Sequence, residues 1–126
     1  DVPDGASTWH NGTDYAPIPA GTKPEIVSVR DGLVKTVYDK VTDKSGKHVK
    51  VDYGDGIVIS FCHLQEIYVK EYDRIKQGEA IGQMGNTALG IKNMGIHVHI
   101  TARKDGKLIN PEKLIDSGEV EYIEEP

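Results

Sequence analysis

The sequence predicts a mainly β fold built on an antiparallel β-sheet. Apolar and β-branched residues recur at period two in several short runs, which is the pattern of half-buried strands. Fourteen glycines in 126 residues provide for many turns between those strands. Only one short stretch, Pro111 to Ile115, has a helical pattern. A chain of this length suits one domain with its own core, so residues 1–126 are expected to form a single domain.

Six runs are predicted as strands, and the turns between them favour antiparallel pairing. The runs are Glu25 to Arg30, Leu33 to Tyr38, His48 to Tyr53, Ile57 to Phe61, Ala80 to Met84 and His97 to Arg103. The dipeptide Asp31-Gly32, the tripeptide Gly54 to Gly56 and the dipeptide Asp105-Gly106 have the chemistry of tight hairpins. The segment Asp43 to Lys47 is predicted as a longer polar loop.

The remaining segments are one helix, two loops and a tail. Asn110 is the predicted N-cap of the helix and Pro111 its first residue. Residues 16–21 form a proline-punctuated loop. Residues 85–95 form a glycine-rich loop of a length that suits the wall of a cleft. The core of the domain is expected at about residues 9–116, and no structure is predicted for the acidic tail, residues 117–126.

Charge and hydropathy exclude several classes of partner. A net charge of −5 and a pI near 5.5 argue against nucleic acid and against an anionic membrane surface. No apolar stretch approaches the roughly 18 residues of a membrane span. The opening residues, Asp1 to Gly5, do not have the pattern of a signal peptide. A mature domain, or a piece of a larger protein, is therefore expected.

Cys62 is the only cysteine, so no internal disulfide and no thiolate metal site is expected. Its neighbour His63 raises the hypothesis of a cysteine hydrolase. Adjacent residues of a regular strand face opposite sides, however, so the two side chains are not expected to meet. We therefore expect Cys62 to be a small buried side chain.

Four of the five histidines fall into short motifs that also contain an aspartate. His10 and Asp14 are four residues apart, His97 and His99 are two apart, and His63 ends an apolar run. Two imidazoles and one carboxylate are a usual ligand set for a hydrolytic zinc. Alternate strand residues face one side, roughly 6.5–7 Å apart, so His97 and His99 can address one cavity. The same spacing would also suit two structural core residues.

The other histidines are less informative when each is taken alone. In an extended strand His10 and Asp14 would lie roughly 13 Å apart, too far for two bonds of about 2 Å to one metal. The chain must therefore bend at Gly12 if they share an ion. Taken alone, this motif is more typical of an exposed turn, and His63 of a solvated strand end. His48 is expected to be a solvated edge residue without a role.

Together these motifs resemble the M23 metallopeptidase family, the lysostaphin-type or LytM-type peptidoglycan endopeptidases. The likeness runs from about Trp9 to Leu114 and keeps the order of the family's blocks. The blocks are His10 to Asp14 for H-x-G-x-D, Phe61 to Leu64 for Y-A-H-L, Val69 to Thr87 for V-x-x-G-Q-x-I-G…G-N-T, Gly95 to His99 for G-x-H-x-H, and Asn110-Pro111 with Leu114 for N-P-x-x-L. Five weak blocks in the right order make a strong likeness.

The resemblance implies a fold, a cofactor and a role for each motif residue. It implies a duplicated-hybrid-motif sheet with a loop-walled groove. It makes His10, Asp14 and His99 the ligands of one Zn²⁺, which leaves a fourth position for water. It makes His63 and His97 unligated catalytic residues, and which is base, oxyanion donor or acid stays open.

The implied activity is a zinc-dependent endopeptidase acting on cross-bridges or stem peptides of bacterial peptidoglycan. That partner implies an extracellular, cell-wall or phage-virion location, the last as a tail-associated lysin. The alternative is a catalytically silent binding or regulatory module of a cell-wall or phage-tail protein. Ile100 and Thr101 stand where the family commonly has an aromatic residue and a glutamate, and the loop at 87–95 also departs from its pattern. Substrate preference is therefore not carried over. A biotinyl or lipoyl carrier domain is a third hypothesis, but it needs a modifiable lysine motif that the sequence lacks.

Overall fold

The computed structural model describes residues 12–90 and 95–124, and within them nine strands form one antiparallel sheet. The strands are β1 (Thr13–Tyr15), β2 (Glu25–Val27), β3 (Gly32–Tyr38), β4 (Lys47–Gly54), β5 (Ile57–Ile67), β6 (Arg74–Ile75), β7 (Ala80–Met84), β8 (Val98–Lys104) and β9 (Lys107–Ile109); the helix α1 is Pro111–Ser117. The mainly β, antiparallel prediction is confirmed.

The long strands β4, β5 and β8 form the centre of the sheet. The strand order is β1-β8-β5-β4-β3-β6, while β9 also pairs with β8, and β7 pairs with β5 and β2. β8 therefore contacts three strands: β1 and β9 along different parts of its length, and β5 from His99 to Lys104. These registers fix the position of each β8 residue relative to its neighbours on the adjacent strands.

Two of the predicted hairpin turns form as expected. Asp55 and Gly56 join β4 to β5 with φ angles of 53° and 77°. Asp105 and Gly106 join β8 to β9 with φ angles of 50° and 83°. Two consecutive positive φ angles are the signature of the type I′ turn, which Asp-Gly favours because glycine carries no Cβ and aspartate tolerates this region.

The predicted hairpin at Asp31-Gly32 is wrong. β2 is shorter than expected and pairs with β7, whereas β3 pairs with β4 and β6. Two hydrogen bonds hold the segment that follows β2. Ser28 Oγ donates to the Arg30 carbonyl at 2.7 Å, and Asp31 Oδ1 accepts from the Gln77 amide at 2.8 Å. Turn-forming residues here connect two separate parts of the sheet.

β5 continues past its predicted end at Phe61 to Ile67, through a bulge at His63. Val49 pairs with Phe61, but Lys47 pairs with Leu64, so one extra residue is accommodated in β5. His63 takes a left-handed φ of 68°, and its amide donates to the Ser45 carbonyl at 2.9 Å. Phe61 and Leu64 consequently both face the core, although strict alternation would place them on opposite sides.

The core lies on one face of the central strands. Alternation along β4, β5 and β8 buries one set of side chains almost completely and leaves the intervening set partly exposed. The fully buried large residues include Val49, Val51, Ile59, Phe61 and Leu64. Partly exposed polar side chains cover the other face of the same strands, which we call the open face of the sheet.

The predicted helix forms, and the tail after it is more ordered than expected. Asn110 Oδ1 accepts from the Glu112 amide at 3.0 Å, and Gly118 ends α1 in a left-handed conformation. The Asn110 amide then donates to the Glu121 carbonyl, and the Ile123 amide donates to the Leu108 carbonyl. No helix of the described ranges is long and apolar enough to cross a membrane.

Candidate metal and catalytic site

Asp14 and His99 face each other across two paired strands at the centre of the site. They are register partners in β1 and β8, and His99 Nδ1 lies 2.5 Å from Asp14 Oδ1. On the other side of β8 the partner of His99 is Cys62 of β5. The short contact is therefore fixed by sheet register, and both side chains keep partial access to solvent.

Gly12 lets the chain approach His99 closely. The backbone bends at this residue, as the sequence required, and a Cβ there would overlap the Ile100 carbonyl oxygen and lie 2.9 Å from His99 Nε2. A side chain at position 12 would displace either β8 or the His99 ring. His10, which precedes this bend, lies outside the described residues.

His97 lies on the same side of the site as Asp14. Its Nε2 is 3.9 Å from Asp14 Oδ1, and its Nδ1 is 2.9 Å from the Gly95 carbonyl oxygen. A carbonyl oxygen only accepts, so Nδ1 carries the hydrogen. The other nitrogen, Nε2, is thereby the acceptor of the neutral ring and points toward the carboxylate.

His63 reaches the site because of the bulge in β5. Its ring centroid lies 4.6 Å from that of His97 and 6.4 Å from that of His99. Its Nδ1 is 2.8 Å from the Thr87 carbonyl oxygen, so Nδ1 again carries the hydrogen and Nε2 is the acceptor. Burial lowers the pKa of His63 below its usual 6.5, partly opposed by the Thr87 carbonyl, and this favours the neutral ring.

Thr87 is a positioning residue that motif analysis did not single out. Besides the carbonyl that holds His63, its hydroxyl donates to the Leu64 carbonyl at 2.8 Å and accepts from the Lys47 amide at 3.0 Å. A Cβ at Gly46 would overlap the Thr87 carbonyl oxygen, so the neighbouring loop packs directly against it. Thr87 ends the Gly85 to Thr87 block, but that block does not indicate which groups the threonine bonds.

The donor chemistry of the Asp14–His99 pair fits zinc. An imidazole nitrogen and a carboxylate oxygen in contact are two ligand types that zinc takes. Within residues 12–90 and 95–124 no group of three or more histidine, cysteine or acidic side chains is arranged to hold a metal. The third residue of the predicted set, His10, belongs to the part outside those ranges. The ligand assignment therefore stays a prediction.

Cys62 is buried, as predicted, with 6% of its surface exposed. Burial raises the pKa of its thiol to about 11, so the thiol is protonated near neutral pH. The bulge breaks the strict alternation that was expected to separate it from His63. The raised pKa nevertheless makes Cys62 a poor nucleophile, which argues against the cysteine-hydrolase hypothesis.

The expectation that His48 is a solvated edge residue is wrong. His48 is 6% exposed, its Nδ1 lies 2.9 Å from the Gly46 carbonyl oxygen, and its ring stacks on Tyr38 at a centroid distance of 4.4 Å. β4 begins one residue before His48, so this residue lies inside a paired strand rather than at an exposed end. His48 is therefore held by the Gly46 carbonyl at its Nδ1 and by the Tyr38 ring against its face.

Comparison with known proteins identifies the family to which the chain belongs. The sequence profile of peptidase family M23 matches residues 8–111. The chain belongs to this family. Members of the family are zinc metallopeptidases, and the profile covers every residue of the candidate site, including His10.

Three similar proteins come from bacteria or from a prophage. The peptidoglycan DD-endopeptidase ShyA of Vibrio cholerae is 32% identical over 104 residues, which are 82% of this chain and 22% of ShyA. The catalytic domain of the prophage-encoded M23 protein EnpA from Enterococcus faecalis, crystallised as a point mutant, superposes with a TM-score of 0.68 at 30% identity, over 84% of this chain and 78% of that domain. A zinc-containing peptidase from Vibrio cholerae superposes with a TM-score of 0.64 at 25% identity, over 79% of this chain and 28% of that one. The chain thus spans less than a third of ShyA and of the zinc-containing peptidase.

The thiol of Cys62 is expected to resist alkylation in the folded protein. Iodoacetamide at pH 8 should leave Cys62 unmodified without denaturant and modify it fully in urea, as measured by mass spectrometry.

Since the pKa of the folded thiol is about 11, against 9.0 for an ordinary thiol, the unfolded chain loses this proton first. Stability should therefore fall as pH rises from about 9 to about 11. The fall should be smaller in Cys62→Ala. Rapid labelling of the folded protein would contradict the buried, protonated thiol.

Replacing the Thr87 hydroxyl should destabilise the fold around His63. Thr87→Val keeps the shape but leaves the Leu64 carbonyl and the Lys47 amide without their partner, which should cost about 1–3 kcal/mol of unfolding free energy in urea titrations. Thr87→Ser keeps a hydroxyl and is the matched control. A valine variant as stable as the serine variant would show that these two bonds contribute nothing.

Proposed function

We propose that the chain is a zinc-dependent endopeptidase that hydrolyses peptide bonds in the cross-bridges or stem peptides of bacterial peptidoglycan. The observation that carries the proposal is the convergence of Asp14, His99, His97 and His63 on one end of the open face. Family membership and the likeness to ShyA, a peptidoglycan DD-endopeptidase, support the substrate. In this proposal residues 1–126 form a single peptidase domain, since all nine strands of the described ranges belong to one sheet.

The metal would be held by Asp14, His99 and His10. The first two are in contact, and the bend at Gly12 turns the chain just after the third. Bound there, zinc supplies a Lewis acid for the scissile carbonyl and for the attacking water. The register of β1 on β8 keeps the Asp14 carboxylate at the His99 ring without any rearrangement of the sheet.

His63 is suited to accept the proton of the attacking water at Nε2. Its Nδ1 hydrogen is committed to the Thr87 carbonyl, and burial keeps the ring neutral near physiological pH. A histidine held as one tautomer with an unprotonated acceptor is ready to act as a general base. The protonated ring could then return the proton to the leaving amine.

His97 is suited to stabilise the oxyanion or to pass a proton. Its Nδ1 is bonded to the Gly95 carbonyl, and its Nε2 lies 3.9 Å from Asp14 Oδ1, next to the ligand pair but not in direct contact with it. An imidazole in this position can donate from Nε2 once protonated. Whichever of the two rings takes the proton of the attacking water is the general base, and the other ring is the oxyanion donor or the acid.

The proposed substrate places the chain outside the cytoplasm, at the bacterial cell wall or in a phage virion. The chain spans 22% of ShyA, so the parent is proposed to be a larger wall-lytic or virion protein. EnpA, a similar M23 protein, is prophage-encoded, which supports a phage parent as one of the two sources.

Digestion of purified peptidoglycan tests the proposed activity. The protein is expected to release new amine ends, identified by mass spectrometry of the soluble fragments, and a chelator should abolish their release. Restoration by added Zn²⁺ is the control for loss of metal rather than of structure. If neither sample contains new amine ends, the chain is the alternative, a catalytically silent M23-like binding or regulatory module.

Substitutions should separate metal ligands from proton-transfer residues. Asp14→Ala and His99→Ala are expected to lose both bound zinc and activity, because they remove the two donors in contact. His97→Ala and His63→Ala are expected to keep zinc and lose most activity. Zinc content is measured by plasma mass spectrometry on each purified variant, with circular dichroism as the control for folding. An active His97→Ala protein, or one without zinc, would overturn the assignment of roles.

A further inference from the structure

The open face of the sheet continues away from the metal site as rows of side chains. The row of Asp14, His99 and Cys62 crosses β1, β8 and β5. Two residues further along β8, Thr101 pairs with Ser60, and Ser60 pairs with Lys50 of β4. No register shift separates these rows on β5 and β8, so they share one face of the sheet.

The second row forms part of a depression with a strongly positive lining. The depression has a volume of about 240 Å³, and Lys35, Lys50 and Arg103 line it together with the hydroxyls of Ser60 and Thr101. No acidic side chain of the described residues lines it, although the chain as a whole carries a net charge of −5. Three positively charged side chains around one depression of an acidic protein favour the binding of an anionic ligand.

The two lysines are not used by the fold. Within the part of the chain that the structure describes, neither Lys35 nor Lys50 forms an ion pair or a side-chain hydrogen bond. Arg103 Nη1 donates to the Gly106 carbonyl at 2.8 Å, which holds the guanidinium against the β8–β9 turn. Two acidic residues border the depression without lining it. Asp52 accepts from the Gly54 amide and lines a different depression, and the Asp105 carboxylate lies against Gly56 at the hairpin end.

We propose that this depression binds a free carboxylate of the peptidoglycan stem peptide at some distance along the peptide from the scissile bond. Along β8, Thr101 lies about 7 Å and Arg103 about 14 Å from His99. Lys50 lies in the row of Thr101, two strands across the sheet. An extended peptide rises about 3.3 Å per residue, so the carboxylate belongs two to four residues from the cleaved bond. The inference rests on the proposed function and deepens it: the chain prefers anionic stem peptides to uncharged glycyl cross-bridges.

The test compares native peptidoglycan with peptidoglycan whose carboxylates have been amidated with carbodiimide and ammonia. The unaltered protein should cleave native material faster. Lys50→Gln should cleave native material about fivefold more slowly and narrow the difference between the two substrates. Lys70→Gln is the matched control, since Lys70 is exposed and does not line the depression. Equal rates on both substrates, or an equal loss in both lysine variants, would overturn the proposal.

A binding measurement separates this proposal from the activity. Calorimetric titration of soluble stem-peptide fragments, with free or amidated carboxylates, should give tighter binding of the free form and loss of that preference in Lys50→Gln. If no bond is cut but this preference is found, the proposed hydrolysis fails and the carboxylate site holds. If the fragments with free and with amidated carboxylates bind equally tightly, the carboxylate site is wrong.

Discussion

The register of β8 between β1 and β5 is the constraint on which the rest of the site depends. It sets His99 opposite Asp14 on one side and opposite Cys62 on the other. Because side chains alternate along β8, Val98 and Ile100 are buried in the core while His99 and Thr101 remain on the open face. A slip of one residue would bury both of the polar side chains and expose both of the apolar ones. Core packing and site geometry are thus held by the same hydrogen bonds.

A β-bulge in the neighbouring strand, β5, brings His63 to the site. A regular β5 would carry His63 on the core side, in phase with Phe61. The bulge changes that phase, at a local cost of about 1–2 kcal/mol for a left-handed φ in a residue other than glycine. The Ser45 and Thr87 carbonyls accept from the backbone and ring of His63 and offset this cost. Strain concentrated at one residue and relieved by two neighbouring loops is typical of functional positions.

The sequence predicted the sheet well where local patterns determine it and less well where distant pairing does. The runs around Ile57 and Ala80, and the Asp-Gly turns at 55–56 and 105–106, carry their own signal and were confirmed. β1, β6 and β9 were not among the predicted runs, because strands of two or three residues contain no measurable period. The face shared by His97 and His99 followed from alternation, but their separate roles came from the family resemblance. The bulge and the role of Thr87 could not be predicted, since the bond from His63 joins residues 24 positions apart.

The ordered segment after α1 has a consequence for how copies of this chain behave toward one another. β9 is short and would end the sheet with unpaired amides and carbonyls. The Ile123 amide bonds to the Leu108 carbonyl and the Glu121 carbonyl to the Asn110 amide, so the protein's own tail occupies this edge. Open edges are the usual template for strand addition between molecules. An acidic edge that the chain's own tail covers discourages such association between copies of this protein.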